Sequence, residues 1–504
     1  MHDPILLYVS VDGSDDWSGN RPAPNAGGTD GPLRTPAAAR DALRDRRDDP
    51  RLRDHGATVA LRGGSYFFTE TLRFDERDSG TDNAPVIYRA YEGEKVRLIG
   101  GRRIESFGPV TDPDVLERLP EQARPHVREA DLPALGISDY GAYHPRGHGA
   151  GSNVAALELF FNREVMTVAR WPKKPAFPNR GFLPVREVRG DRIVYGGDRP
   201  KRWTSHDDMY VHGYFALDWA STILPVDSID PEAGELSVGP PGWGHYGVNA
   251  KGRFFFFHVL DELGEPGEWY LDFESGKLYF WPPAPLDDGE ALVSTLEAPL
   301  IRMANARHLH LEGLTLECTR GNGVEIEGGE DVVLGGCTIR NIGRHGVSIT
   351  EGKNHSVTGC DISFTGECGV KIMAGDRHTL TPCNHHVHNC HIHHVAREGW
   401  TYFGAIDMAH SEDSGVGVVA THNRIHDHPH ALIFFKGNDH RFEFNEFYNF
   451  TLQGDDCGCM YTGRDFSMQG HLVRHNWFHH AGQSGRGDWG ASGVYMDDCG
   501  GGTE

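Results

Sequence analysis

Acids and bases collect at the ends of a few short apolar phrases near the C-terminus. These phrases are AIDM (405–408), ALIFFKGND (431–439), CMYTGRD (459–465) and GVYMDD (493–498). Stacked by their leading small or apolar residue, Lys436, Arg464 and Asp498 fall in one file. Asp497 lies one step before it, and Asn438, Asp439 and Asp465 lie close by. Asp456 belongs to the GDDCG turn that opens the CMYTGRD phrase. Hydrolysis of a glycosidic bond needs two carboxyl groups, about 5 Å apart for retention and about 6.5 to 9.5 Å for inversion, one of them protonated as a general acid. Asp497 with Asp465 or Asp456 meets that requirement if the phrases are neighbouring strands. Arg464 beside the pair would hold one carboxylate ionised, and crowding of like charge would raise the other. Arg464, Asp498, Asn438, Asp439, His430 and His426 are then the candidate sugar-binding residues. A structural reading stays open, in which the acids bond turn backbone and pair with Arg464 and Lys436. So does a calcium ion on Asp455, Asp456 and Asp465.

The elements that would bring these phrases together are visible as an internal repeat. Aligning GCTIRNIG, GCDISFTG, NCHIHHVA, HNRIHDHP, FNEFYNFT and HNWFHHAG puts Cys337, Cys360, Cys390, Asn423, Asn445 and Asn476 in one column. Ile339, Ile362, Ile392, Ile425, Phe447 and Phe478 fall in the column two residues on, and Leu314 and Leu316 extend both columns upstream. Steps of about 22 to 33 residues are those of a solenoid with one supersecondary unit per coil. Strands stacked about 4.8 Å apart would bury the Ile/Phe file as a narrow core. The Asn amides would bond up and down their file at a bend, and the Cys file would be a small apolar stack. The expected fold is all-β, a right-handed parallel β-helix.

The chain has 504 residues, 38% of them hydrophobic, and 64 glycines that suit many turns. Its 49 basic and 72 acidic residues give a net charge of -23, which argues against nucleic acid, an anionic membrane surface or a polyanionic glycan as partner. A neutral substrate is the easier fit. All nine cysteines lie between Cys318 and Cys499, several of them in the repeated column, so free thiols are expected. Of the 30 histidines, many lie between His385 and His480, at bends. No three show helix or finger spacing, so neither a metal nor another cofactor is expected. Neither a signal peptide nor a membrane span is visible, which points to the cytoplasm if the start is native.

Residues 1–103 read as a cap and the first coils. Thr35 is the N-cap and Pro36 the first residue of a helix with Ala39, Ala42 and Leu43 on one face, suited to covering the open end of a solenoid. Residues 104–293 lose the solenoid spacing and turn aromatic, as an inserted β-rich domain; EWYLDFESGKLYFWPP reads as a hairpin turning at Glu274-Ser275-Gly276. Trp171, Trp219, Trp269 and Trp281 there serve either a core or a sugar-stacking wall. Residues 294–504 form the main β-helix.

YVSVDGSDDWSG, GPLRTPAAARDAL, RGGSYFF, FNREVMTVARWP, WYLDFESGKLYFWPP, GNDHRFEFNEFYN, YTGRDF and VYMDD together resemble right-handed β-helix proteins with an inserted β domain, related to glycoside hydrolase families 141 and 120. The resemblance covers nearly the whole chain. It implies a hydrolase of xylan-, xyloside- or fucoside-like sugars and, from family 120, favours Asp497 as nucleophile. The matching Glu of that family would lie beyond Glu504, and related chains continue for several more coils, so this one looks truncated. A non-catalytic glycan-binding or structural β-helix is the alternative, with a polysaccharide lyase as a third.

Overall fold

The computed structural model describes residues 3–149, 153–173, 181–240, 242–244, 246–409, 415–482, 490–498 and 500–504. Three long parallel sheets run side by side along it. Sheet 1 has ten strands, from Ile5–Val9 to Leu472–Arg474. Sheet 2 has nine, from Leu72–Phe74 to Cys457–Gly463 and Ala491–Asp497. Sheet 3 also has nine, from Gly64–Phe67 to Trp477–His479. The chain visits the three sheets in turn, so each circuit is one coil of a β-helix.

The register explains why the sequence repeats. In sheet 3, Leu316 pairs with Ile339, then Ile362, Ile392, Ile425, Phe447 and Phe478. From Leu316 to Phe447 these side chains are fully buried, one above another in a core that extends the length of the helix. The Asn column behaves as its chemistry dictates. The Asn445 side-chain oxygen accepts from the Asn423 amide N–H at 2.9 Å, and the Asn476 oxygen accepts from Asn445 N–H at 3.0 Å. Each side-chain NH₂ also donates to a carbonyl one coil away, Asn445 to Ala420 at 3.0 Å. Cys337, Cys360 and Cys390 continue the column as buried thiols, and every described cysteine is free; Cys499 lies outside the described residues.

Bends follow the same logic. Two residues past each inward apolar residue of sheet 3 the backbone turns left-handed, at Asn341, Phe364, His394, Asp427, Asn449 and His480. Asn, Asp and His are the non-glycine residues that most readily adopt that conformation. This accounts for the doubled histidines His393-His394 and His479-His480. A second left-handed file, at Asp331, Asn354, Asn384, Gly417, Asp439 and Gly470, precedes the sheet 1 strands.

The helix Pro36–Arg44 is capped by Thr35, whose hydroxyl accepts from Ala38 N–H at 3.1 Å, and it buries Pro36, Ala39 and Leu43 against the first coils. Strands between Gly101 and Ser294 build three further, mostly antiparallel sheets with their own aromatic cores. The expected hairpin is there: Glu268–Leu271 pairs antiparallel with Lys277–Phe280, and Gly276 supplies a φ of 70° in the turn. Trp269 is buried in one of these cores, Trp171 packs on Phe256, and Trp281 stacks on His126. No described helix is long and apolar enough to cross a membrane.

Candidate functional site

On the outer face of sheet 2, the register stacks Asp407, Phe434, Tyr461 and Tyr495. Parallel strands put equivalent residues face to face, so Tyr461 and Tyr495 stack with ring centres 5.7 Å apart and planes 16° from parallel. Tyr402 adds to this floor, 5.4 Å from Phe434 and 5.9 Å from Tyr461. The inserted domain leans over it: His148 lies 4.6 Å from Tyr402 and 5.0 Å from Trp219, and Trp219 lies 5.0 Å from Tyr246. Of the four tryptophans singled out from sequence, Trp219 therefore faces the site.

Asp497 ends its strand opposite Gly463. A Cβ at Gly463 would come within 2.6 Å of the Asp497 Cβ, so the close approach requires glycine there. The Tyr461 hydroxyl donates to Asp497 Oδ2 at 2.6 Å, and Arg464 Nε donates to the same oxygen at 3.0 Å. Partial burial pushes this carboxyl up, but the Tyr461 hydroxyl, the Asp498 amide and the Arg464 guanidinium outweigh it and hold it below the usual carboxylate value. Burial raises the Tyr461 phenol, with Tyr402 and Asp497 adding to the shift, so it stays a donor.

Asp456 lies at the other end of the CMYTGRD strand and accepts from the Tyr495 hydroxyl at 2.6 Å. Its turn is clamped to the inserted domain. Arg253 Nη2 donates to the Gln453 carbonyl at 2.6 Å, Arg253 Nε to Asp218 at 3.1 Å, and Asp455 N–H to the Asp218 carbonyl at 3.3 Å. Asp456 and Asp497 thus bond to the two members of one tyrosine stack.

Asp465 keeps different company. Arg377 Nη1 pairs with it at 2.8 Å, and the Ser467 amide and hydroxyl donate to it at 2.8 and 2.6 Å. Burial pushes the carboxyl up, but the Ser467 groups and Arg377 prevail and bring it down to about 2. Asn438 is buried in the same network, accepting from Arg377 Nε at 3.1 Å and donating to the Ser467 carbonyl at 3.0 Å. Asp439 is the left-handed bend residue of its coil, exposed on the surface. Asp498 is exposed too, 3.8 Å from Arg464. Strand Cys457–Gly463 separates Asp455 and Asp456 from Asp465, so the calcium set is split between its two ends.

Two expected placements are corrected. Ile433 pairs with Met460 and Phe434 with Tyr461, a register that sets Lys436 one place out of file with Arg464 and Asp498. Alignment by leading residue hid this because ALIFFKGND enters its strand one residue later. His426 is not near the site: it lies on sheet 3, packed on Tyr448 with ring centres 4.3 Å apart. His430 does lie below the site, with its ring nearly parallel to Phe434 at 5.6 Å. Its ring nitrogens meet no hydrogen-bond partner among the described residues, and burial pushes it down to about 3. The sequence reading missed Tyr402, Tyr461 and Tyr495. The signal available was their place in the apolar phrases, where an outward tyrosine beside an acid reads as ordinary strand packing.

A family model described as a right handed beta helix region matches residues 299–399. Among curated proteins, pectate lyase PEL9 of Emericella nidulans is 34% identical over 125 residues, which is 25% of this chain and 25% of that protein. A solved structure titled a glycoside hydrolase superposes over 99% of this chain and 96% of its own, with a TM-score of 0.77 at 17% identity. XylC, solved in complex with xylose, superposes over 95% of this chain and 67% of its own, with a TM-score of 0.52 at 13% identity. The chain is a right-handed parallel β-helix protein with an N-terminal capping helix and a β-rich insertion, and it shares that fold with a solved glycoside hydrolase.

Proposed function

We propose that this protein is a glycoside hydrolase acting on a neutral polysaccharide or oligosaccharide of the xylan, xyloside or fucoside kind. The observation that carries the reading is the tyrosine stack with a carboxylate at each member, floored by Tyr402 and Phe434 and walled by Trp219. Aromatic faces suit the apolar faces of sugar rings, and the two acids supply the reaction.

The roles are assigned from charge for Asp465 and Asp497 and from position for Asp456. A general acid must hold a proton at the working pH. Asp465, held at about 2 by Ser467 and Arg377, cannot do so. Asp497 is held ionised by Tyr461 and Arg464, which fits a nucleophile or a base. Asp456, bonded to the other tyrosine of the stack, is assigned the acid's part by its position. In the reaction, Asp456 gives its proton to the leaving glycosidic oxygen as the C–O bond breaks. Asp497 either bonds the anomeric carbon or takes a proton from the water that does. The match to XylC and the resemblance to families 120 and 141 support a xylose-like sugar.

The test is turnover of the intact protein on a panel of aryl glycosides, followed by kcat of Asp497→Asn on whichever is cleaved. The nearly isosteric change is expected to leave the fold intact and to slow hydrolysis by a factor of roughly 10² or more. Activity within a few-fold of the parent would remove Asp497 from the mechanism. Sugar binding without turnover anywhere in the panel would favour a glycan-binding protein instead.

A further inference from the structure

Sheet 3 carries a second cluster on its outer face, away from the Asp497 site. Two adjacent files form it. Asp361, His391 and Arg424 stack in one, and Ser363, His393 and His426 stack in the other. One ligand atom each from Asp361, His391 and His393 lies within 4.8 Å of the others. His391 Nε2 also faces His426 Nε2 across one coil at 2.7 Å. Two imidazole nitrogens at that distance share a single proton.

Each imidazole also has a polar contact at Nδ1. His391 Nδ1 lies 2.9 Å from Asp361 Oδ2, His393 Nδ1 lies 2.8 Å from His394 Nδ1, and His426 Nδ1 lies 2.5 Å from Asp427 Oδ2. Asp361 Oδ1 also lies 3.7 Å from His393 Nε2, so this carboxylate faces both His391 Nδ1 and His393 Nε2, while His426 on His391 Nε2, itself held by Asp427, fixes the His391 ring from outside. The one neighbouring cation in these files, Arg424, is drawn toward Glu446 at 3.5 Å and over the Tyr448 ring.

We propose that Asp361, His391 and His393 form a binding site for a divalent transition metal ion of the zinc class, with His426 held against the outer nitrogen of His391. Imidazole donors with one carboxylate favour zinc, cobalt, nickel or copper over calcium and magnesium, which prefer oxygen. Ligation at about 2.0 to 2.1 Å needs the rings to shift by about an ångström, which surface side chains allow. The ligands come from two successive coils, the strands Asp361–Thr365 and His391–His393. The ion would therefore staple the coils together. The sequence reading expected no metal because no linear spacing matched; stacking creates the site from residues about 30 positions apart, a separation no short motif encodes.

Cobalt(II) titration of the full chain tests this. A saturable visible d–d band is expected at one equivalent, displaced by zinc, with zinc also raising the thermal midpoint. His393→Gln and Asp361→Asn, each confirmed folded by circular dichroism, are expected to weaken binding at least tenfold and to abolish the zinc-induced rise. No saturable band in the parent, or unchanged affinity in whichever of these variants folds, would overturn the site. Glycosidase turnover plays no part in the readout, so failure here is independent of the Asp497 reading.

Discussion

Tyr461 sets the charge of Asp497. Its hydroxyl gives that carboxylate a 2.6 Å hydrogen bond, the largest single contact that favours the ionised form, with the Asp498 amide and Arg464 adding to it. In Tyr461→Phe the carboxyl is expected to titrate higher, because burial still opposes ionisation and the main opposing contact is gone. The acidic limb of the kcat/KM profile should therefore move to higher pH, with the parent regained above it; an unmoved limb would mean that Asp497 is not the group titrating. At this scale the sequence was half legible. Asp497, Arg464 and Asp456 are polar residues at strand ends and stand out. Asp465 stands out for the same reason, yet Arg377, 88 residues earlier, claims it. Partners that arrive from another coil leave no mark beside the residue.

At the scale of the element, the asparagine ladder does for the bend what the Ile/Phe file does for the core. The Asn445 side-chain oxygen receives both the backbone N–H and the side-chain NH₂ of Asn423, and its own NH₂ donates to the Ala420 carbonyl and to Asn476 Oδ1. Asn445→Ala leaves the Asn423 N–H and the Ala420 carbonyl unpaired in the interior, and is expected to cost about 1 to 3 kcal/mol in chemical unfolding. An unchanged midpoint would contradict the ladder's contribution. These elements were the most readable part of the chain, because each file repeats one requirement and so writes one residue type again and again. Lys436 shows where reading fails. Sheet register is counted from the inward residues, Ile433 on Met460, and a phrase that starts one residue earlier slips every side chain after it.

Across the whole molecule the histidines form a third system. His355, His385, His440 and His471 lie at bends, and their Nδ1 atoms accept backbone N–H groups as the asparagines do. Burial pushes His385 and His440 down to about 3, and His355 and His471 to about 4. Above about 6.5 these rings are neutral in folded and unfolded chains alike, so they add no pH dependence. Below it the unfolded chain takes up protons that the native coils refuse. Stability should therefore fall as pH drops from about 6.5 towards 4 and 3; the histidines' share of the fall ends as the native rings also protonate, and carboxyls held low, such as Asp465 and Asp497, carry it further. Thermal midpoints across that range check this; a flat profile between pH 6.5 and 4 would refute it.

The clamp between Arg253 and Gln453 joins residues 200 positions apart. Because synthesis runs from the N-terminus, the ribosome finishes Trp219 and the rest of the wall long before it makes the turn that carries Asp456. Through that interval the growing chain displays an aromatic face with nothing opposite it. A nascent chain at this stage carries the residues of one half of the cleft and not yet those of the other.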